Sequence, residues 1–172
     1  TDNIFMYSWY LDSVSDRWGG LINEDYTTIF PVTYTQNLGV KQFYQAFFTR
    51  EFEVVGDGFN LKEAINYLQD DFKMISFRTS FNSLNNIESI QRKYQFIDLN
   101  TDFETSFSTN AKRLIKKSDK QFTYKSFKNV NELIDLVRNH VAFKIKEFTP
   151  ENITKLQGLI INALKNNKGE LI

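Results

Sequence analysis

The sequence predicts an α/β (α+β) domain in which a mixed central sheet is flanked by helices. Three observations predict it. Cap residues followed by apolar stripes at helical spacing open segments at Asn60, Asn129 and Thr149. Short stretches read as strands at 27–34 and, by their alternation, at 73–78 and 92–99. The two kinds of segment interleave along the chain, the order expected where helices cover a sheet.

The composition agrees. A chain of 172 residues with 17 phenylalanines and 2 prolines has the apolar content of a packed domain and lacks the composition of a disordered tail. One domain spanning 1–172 is the simplest organisation, because no repeat or low-complexity linker divides it. With no cysteine there is no disulfide framework, thiolate metal site or cysteine nucleophile, which fits a cytoplasmic location. No apolar run approaches the roughly 20 residues of a membrane-spanning helix, and no signal-peptide pattern opens the sequence. Twenty-one basic and 21 acidic residues cancel, so attraction to a polyanion has to come from a local patch.

In chain order, 8–18 (SWYLDSVSDRW) reads as a short helix ended by Gly19 and Gly20. Residues 27–34 form a strand in which Pro31, having no N–H, predicts an edge or a bulge. Its hairpin partner is the aromatic segment 39–49, reached through the turn 36–39. Gly56, Asp57 and Gly58 make a turn, and Asn60 caps a helix through Gln69 with Leu61, Ala64, Ile65 and Leu68 on one face. The strands 73–78 and 92–99 follow, separated by a polar, Asn-rich loop. A further strand is expected over 121–127. Asn129 then caps a helix with the stripe Val130, Leu133, Ile134, Val137 and Val141. Thr149 and Pro150 open the last helix, whose inner face is Ile153, Leu156, Ile160, Ala163 and Leu164 and whose end is Gly169. Glu170, Leu171 and Ile172 begin what reads as another strand, an expectation of truncation within a longer protein.

The stretch with the most functional content is 102–120. Thr101 and Glu104 have capping-box spacing and predict that a helix starts there. Phe103, Phe107, Ala111, Leu114 and Ile115 then share one face, and at about 100° per residue Lys112, Arg113, Lys116, Lys117 and Lys120 share the opposite one. Spacing leaves two readings open. Cations in a last turn are favoured by the helix dipole and belong on a solvated end. Alternatively they face a ligand, with Arg113 able to grip a carboxylate or phosphate through two parallel hydrogen bonds.

Other candidate chemistry is sparse. The single histidine, His140, sits at the margin of an apolar stripe and reads as structural; no His/Cys metal site can be assembled. Asp70 and Asp71 close a helix and read as a solvated turn. The glycines form no phosphate-binding loop. The aromatic segments 7–10 and 43–48 read either as core or as a pocket wall, with Trp18, Tyr44 and Gln45 supplying polar handles.

Taken in order, YSWYLDSVSDRWGGLI, the strand with FPVTY, LGVKQFYQAFFTREF, RKYQFIDL and NAKRLIKKS resemble the layout of bacterial FemAB-like proteins, members of the GNAT (acyl-CoA N-acyltransferase) superfamily. The resemblance runs from about Ile4 to Ile172. It implies a GNAT-like fold, with this chain as the N-terminal domain of a two-domain protein and about 129–172 leading into the C-terminal GNAT domain. It also implies transfer of an acyl or aminoacyl group to an amine on a small molecule or peptidoglycan precursor. The donor would be acyl-CoA or aminoacyl-tRNA, used by the whole protein and not bound within this chain, which would be inactive alone. Carried over by position, the cleft residues are Trp18, Pro31, Tyr44, Gln45, Phe47 and Phe48, and the family's basic helix falls in this stretch on Arg113, Ile115, Lys116 and Lys117, spaced here as R-x-I-K-K. Ala46 stands where relatives often have proline. The alternative from a different class is a non-catalytic module that holds RNA or another polyanion on the basic helix.

Overall fold

A computed structural model describes residues 3–80, 88–93, 103–123 and 125–171. The chain divides into two compact units. The larger comprises Thr1–Leu84 with Lys128–Leu171, and the smaller comprises Asn85–Phe127 with Ile172.

The larger unit is mixed α+β. After a turn of 3-10 helix, α1 (Ser8–Val14) leads into β1 (Trp18–Ile22), β2 (Ile29–Asn37) and β3 (Val40–Tyr44). Helix α2 (Leu61–Asp71) then precedes β4 (Phe72–Ser76). The sheet order is β1-β2-β3-β4. The first three strands form an antiparallel meander, and β4 runs parallel to β3, so α2 serves as the crossover that a parallel pair requires.

Local chemistry explains the turns. Leu38 and Gly39 connect β2 to β3 with φ of 50° and 80°, the positive pair that matches strand twist in a two-residue hairpin. Gly56 has φ of 100°, and a Cβ there would lie 2.2 Å from the Thr27 carbonyl oxygen, so only glycine fits beside the bridge between Ile29 and Val55. Pro31 is buried inside β2 without a lost ladder bond. The Ile29 N–H points away from β1 to Val55, so position 31 points the same way, short of the β3 ladder that begins at Tyr34. The proline occupies a local edge within an inner strand.

Beneath the sheet, Phe43 is fully buried and meets four rings, with centroids at 4.9 Å to Phe77, 5.3 Å to Phe52, 6.1 Å to Phe30 and 6.4 Å to Phe72. Helix α2 buries Leu61, Ala64, Ile65 and Leu68, the face its spacing predicts, and Asn60 and Glu63 close its start with a reciprocal capping box. Helices α4 (Val130–His140) and α5 (Pro150–Lys165) are capped by Asn129 and Thr149, as expected. α4 packs on α5, and α5 packs on α1.

Several expectations are corrected. α1 stops at Val14, where Ser15 turns extended and its hydroxyl donates to the Arg17 carbonyl; Trp18, Gly19 and Gly20 then form β1. Within that strand a Cβ on Gly20 would come within 2.8 Å of the Ile29 side chain, so the glycine leaves room for it across the ladder. The last helix is ended by Asn167 at φ 52°, not by Gly169. The Asn167 and Lys168 N–H groups donate to the Leu164 and Ala163 carbonyls in a Schellman closure. Among the described residues of 121–127 no strand element forms: α3 (Thr109–Gln121) takes the first residue, and beyond it only Phe127 makes an isolated bridge. The strand expected at 92–99 falls largely outside the described residues.

Replacing Phe43 with alanine is expected to cost about 3–5 kcal/mol, since the cavity would open at the centre of a ring cluster whose members also brace one another, Phe77 against Phe30 and Phe52, and so cannot close freely over the gap. Equilibrium denaturation of the variant measures it.

Candidate functional site

Two groups of residues carry the functional expectations, and they lie in different units. The first surrounds the junction between α1 and the turn that follows β3. Tyr10, Val14, Ala46 and Leu159 form its buried centre, flanked by Trp9, Tyr44 and Phe48. The Tyr10 hydroxyl donates to the Phe48 carbonyl at 2.5 Å, and the hydroxyls of Ser15 and Tyr44 meet at 3.3 Å. Burial pushes the Tyr10 phenol up from its ordinary value of 10.0 to about 12. Ala46 is fully buried here, which leaves its position no room for a larger side chain.

The expected handles in this group are engaged within the fold. Trp18 opens β1 half-buried, and its indole N–H donates to the Asp12 carboxylate at 2.8 Å. Gln45 spans two segments: its amide nitrogen donates to the Thr49 carbonyl at 2.6 Å, and its amide oxygen accepts from the Arg78 N–H at 2.7 Å. The Phe47 ring lies 4.5 Å from that of Phe48 and 5.3 Å from that of Phe148. Trp18, Tyr44, Gln45, Phe47 and Phe48 thus share one unit, where each helps hold the junction.

The second group is α3 in the smaller unit. The helix begins at Thr109, with Ser108 as its cap accepting from the Ala111 N–H. Thr101 lies outside the described residues, and Glu104 falls in a separate 3-10 turn. Serine directly before the basic run is the better cap because its hydroxyl reaches the third N–H without an intervening irregular stretch. The expected buried stripe is not buried: Leu114 is 54% and Ile115 44% exposed. Lys112, Arg113, Lys116, Lys117 and Lys120 are placed on one side, as the periodicity predicts. Among the described residues none of the five joins an ion pair; Arg113 donates to the Asn110 side chain at 3.2 Å and Lys112 to the Thr105 carbonyl at 3.3 Å. Two lysines of the larger unit differ. Lys41 pairs with Asp71, and Lys155 with both Asp16 and Glu151. Burial draws the Lys155 ammonium downward, but hydrogen bonds to Glu151 and Asp16 outweigh it, so the net shift is upward.

No family model matches the chain, and no curated protein or solved structure shows significant similarity to it.

A depression of about 630 Å³ lies at the start of α2, where no sequence motif points to a site. Glu53, Asp57, Phe59, Asn60, Glu63 and Thr79 are among its lining residues. The acidic residues around Gly56 and Gly58 are the signal that marks it in the sequence. The helix start is closed to anions, because the capping box already uses two of its backbone N–H groups and places a carboxylate over them. Among the described residues no group of three or more side chains could hold a metal ion. His140 is exposed in the last turn of α4. No described helix is long and apolar enough to cross a membrane.

The Tyr10 phenol generates a prediction with a definite sign. Its folded value lies above its unfolded value, so its neutral form contributes stability that is complete below pH 10 and lost as the pH rises toward about 12. Tyr10→Phe is expected to lose about 1 kcal/mol at neutral pH, through the bond to Phe48, and to flatten this alkaline limb. Denaturation midpoints measured across the alkaline range check both effects.

Proposed function

We propose that this chain supplies the N-terminal GNAT-like domain of a FemAB-like N-acyltransferase, which moves an acyl or aminoacyl group from acyl-CoA or aminoacyl-tRNA to an amine. The observation that supports the reading is the junction just described. The two longest segments of the resemblance, 7–22 and 38–52, meet there through Tyr10 and Phe48 and through Ser15 and Tyr44. A mixed sheet with a helical crossover into its parallel strand is compatible with such a domain.

In the proposed reaction a neutral amine attacks the carbonyl carbon of a thioester or ester. The nitrogen loses its proton to a base, and the thiolate or alkoxide leaves as the tetrahedral intermediate collapses. Arg113, Lys116 and Lys117 contribute by holding a carboxylate or phosphate of the acceptor or donor; they orient it and move no proton. The reading assigns the base to the second domain.

A second reading is favoured by one feature, the exposed cations of α3, none of which joins an ion pair among the described residues. In it the helix holds RNA or another polyanion without catalysis. RNA affinity would then fall with salt, each phosphate contact adding about −0.7 to −0.9 to the log–log slope.

Calorimetric titration of acetyl-CoA into the 172-residue chain, repeated with the chain extended past Ile172, tests the first reading. Binding only to the extended protein supports it. Binding to the shorter chain would place the donor site within these residues. Silence from both chains toward acetyl-CoA, and from the extended chain toward aminoacyl-tRNA titrated in the same way, would overturn it. In the extended protein, Arg113→Ala with Lys117→Ala is expected to raise KM for the acceptor or donor about tenfold with an unchanged melting midpoint. Unchanged kinetics would remove these residues from the site.

A further inference from the structure

The outer edge of the sheet carries an inference independent of the acyltransferase reading. β1 is an edge strand. The Tyr34 N–H donates to the Arg17 carbonyl and the Asn23 N–H to the Thr28 carbonyl, and both pairs follow the register that sets Trp18 opposite Thr33 and Ile22 opposite Ile29. Antiparallel ladders alternate bonded and non-bonded pairs, so 17, 19, 21 and 23 turn their backbone groups to β2. Trp18, Gly20 and Ile22 turn theirs outward. Among the described residues no backbone hydrogen bond reaches these outward groups.

Edges of this kind are ordinarily blunted by a lysine, a proline or a bulge. At the opposite end of the sheet order, β4 carries Lys73. β1, with the sequence WGGLI, has none of these devices, and its register with β2 is continuous. Its side chains are also self-complementary. In an antiparallel pairing of two copies centred on Gly20, Gly20 meets Gly20, and Trp18 of each copy lies directly across from Ile22 of the other. Each of these pairs would exchange both N–H···O bonds. The half-buried Trp18 would cover Ile22, which is 46% exposed, and the absent Cβ atoms of Gly20 leave the Ile29 side chain as the floor between them.

We propose that β1 pairs with β1 of a second copy of this chain, joining two sheets across a two-fold axis. One short edge places the contact in the weak, transient class, so association depends on concentration.

The test combines sedimentation velocity with amide hydrogen exchange on the 172-residue chain over a concentration series reaching about 1 mM. The expected result is a sedimentation coefficient that rises with concentration, with at least threefold slower exchange of the Gly20 and Ile22 amides in the concentrated sample. Ile22→Lys places a charge on the exposed edge and is expected to abolish both changes with an unchanged melting midpoint. Should that variant melt early, Ile22→Thr, which keeps the branched side chain, is expected to weaken association while preserving the fold. A chain that stays monomeric across the series would overturn the proposal. So would dimers that persist in both variants. Amides of 18, 20 and 22 protected equally at every dilution would also overturn it, because the edge would then be occupied within one chain.

Discussion

The arrangement of the larger unit depends on the packing of one ring. Phe43 comes from β3, while its neighbours come from β2, from β4, from the segment just after β4 and from the loop that precedes α2. One buried side chain therefore ties together the hairpin, the crossover and the parallel strand. Edge-to-face contacts give such a cluster a preferred geometry as well as buried area. β3 has β2 on one side and β4 on the other, so the direction of Phe43 fixes which face of all three strands is inward. Every position on the opposite face, and the helices that leave the sheet, follows from that choice.

The second layer of organisation is polar and local. Gln45 follows Phe43 by two residues and spends both ends of its amide on backbone groups, one four residues away and the other on Arg78. Buried or half-buried amides held at both ends rigidify the backbone they bracket. The turn at 46–49 is held by this amide on one side and by Tyr10 on the other. A rigid turn carrying Phe47 and Phe48 is the kind of element on which a binding surface is built, because side chains anchored by their own neighbours keep their positions when a ligand arrives.

How much was legible in the sequence depended on how local each signal was. The caps at Asn60, Asn129 and Thr149 use hydrogen bonds within three residues, and all three were readable. The hairpin at 36–39 was readable for the same reason. Trp18 was misplaced because Gly19 and Gly20 look like a helix stop, whereas both lie in β1, and Gly20 leaves room for the Ile29 side chain from across the ladder. The bracket formed by Gln45 was invisible because Arg78 lies 33 positions away. In α3 the periodicity correctly placed the cations on one side. It did not tell whether the apolar side is covered, since an amphipathic pattern reports a preference and not a partner.

That last point separates the two units physically. A helix of 13 residues with no buried side chain has little beyond its own hydrogen bonds and its Ser108 cap to hold it. The strands around Phe43 are held by tertiary packing. Native-state hydrogen exchange on the whole chain tests this most directly. The account predicts that β2 and β3 amides exchange only through global unfolding, while the amides of α3 exchange through local opening at a free energy several kcal/mol lower. Protection of α3 equal to that of β3, or opening of β3 ahead of α3, would contradict a fold organised around Phe43.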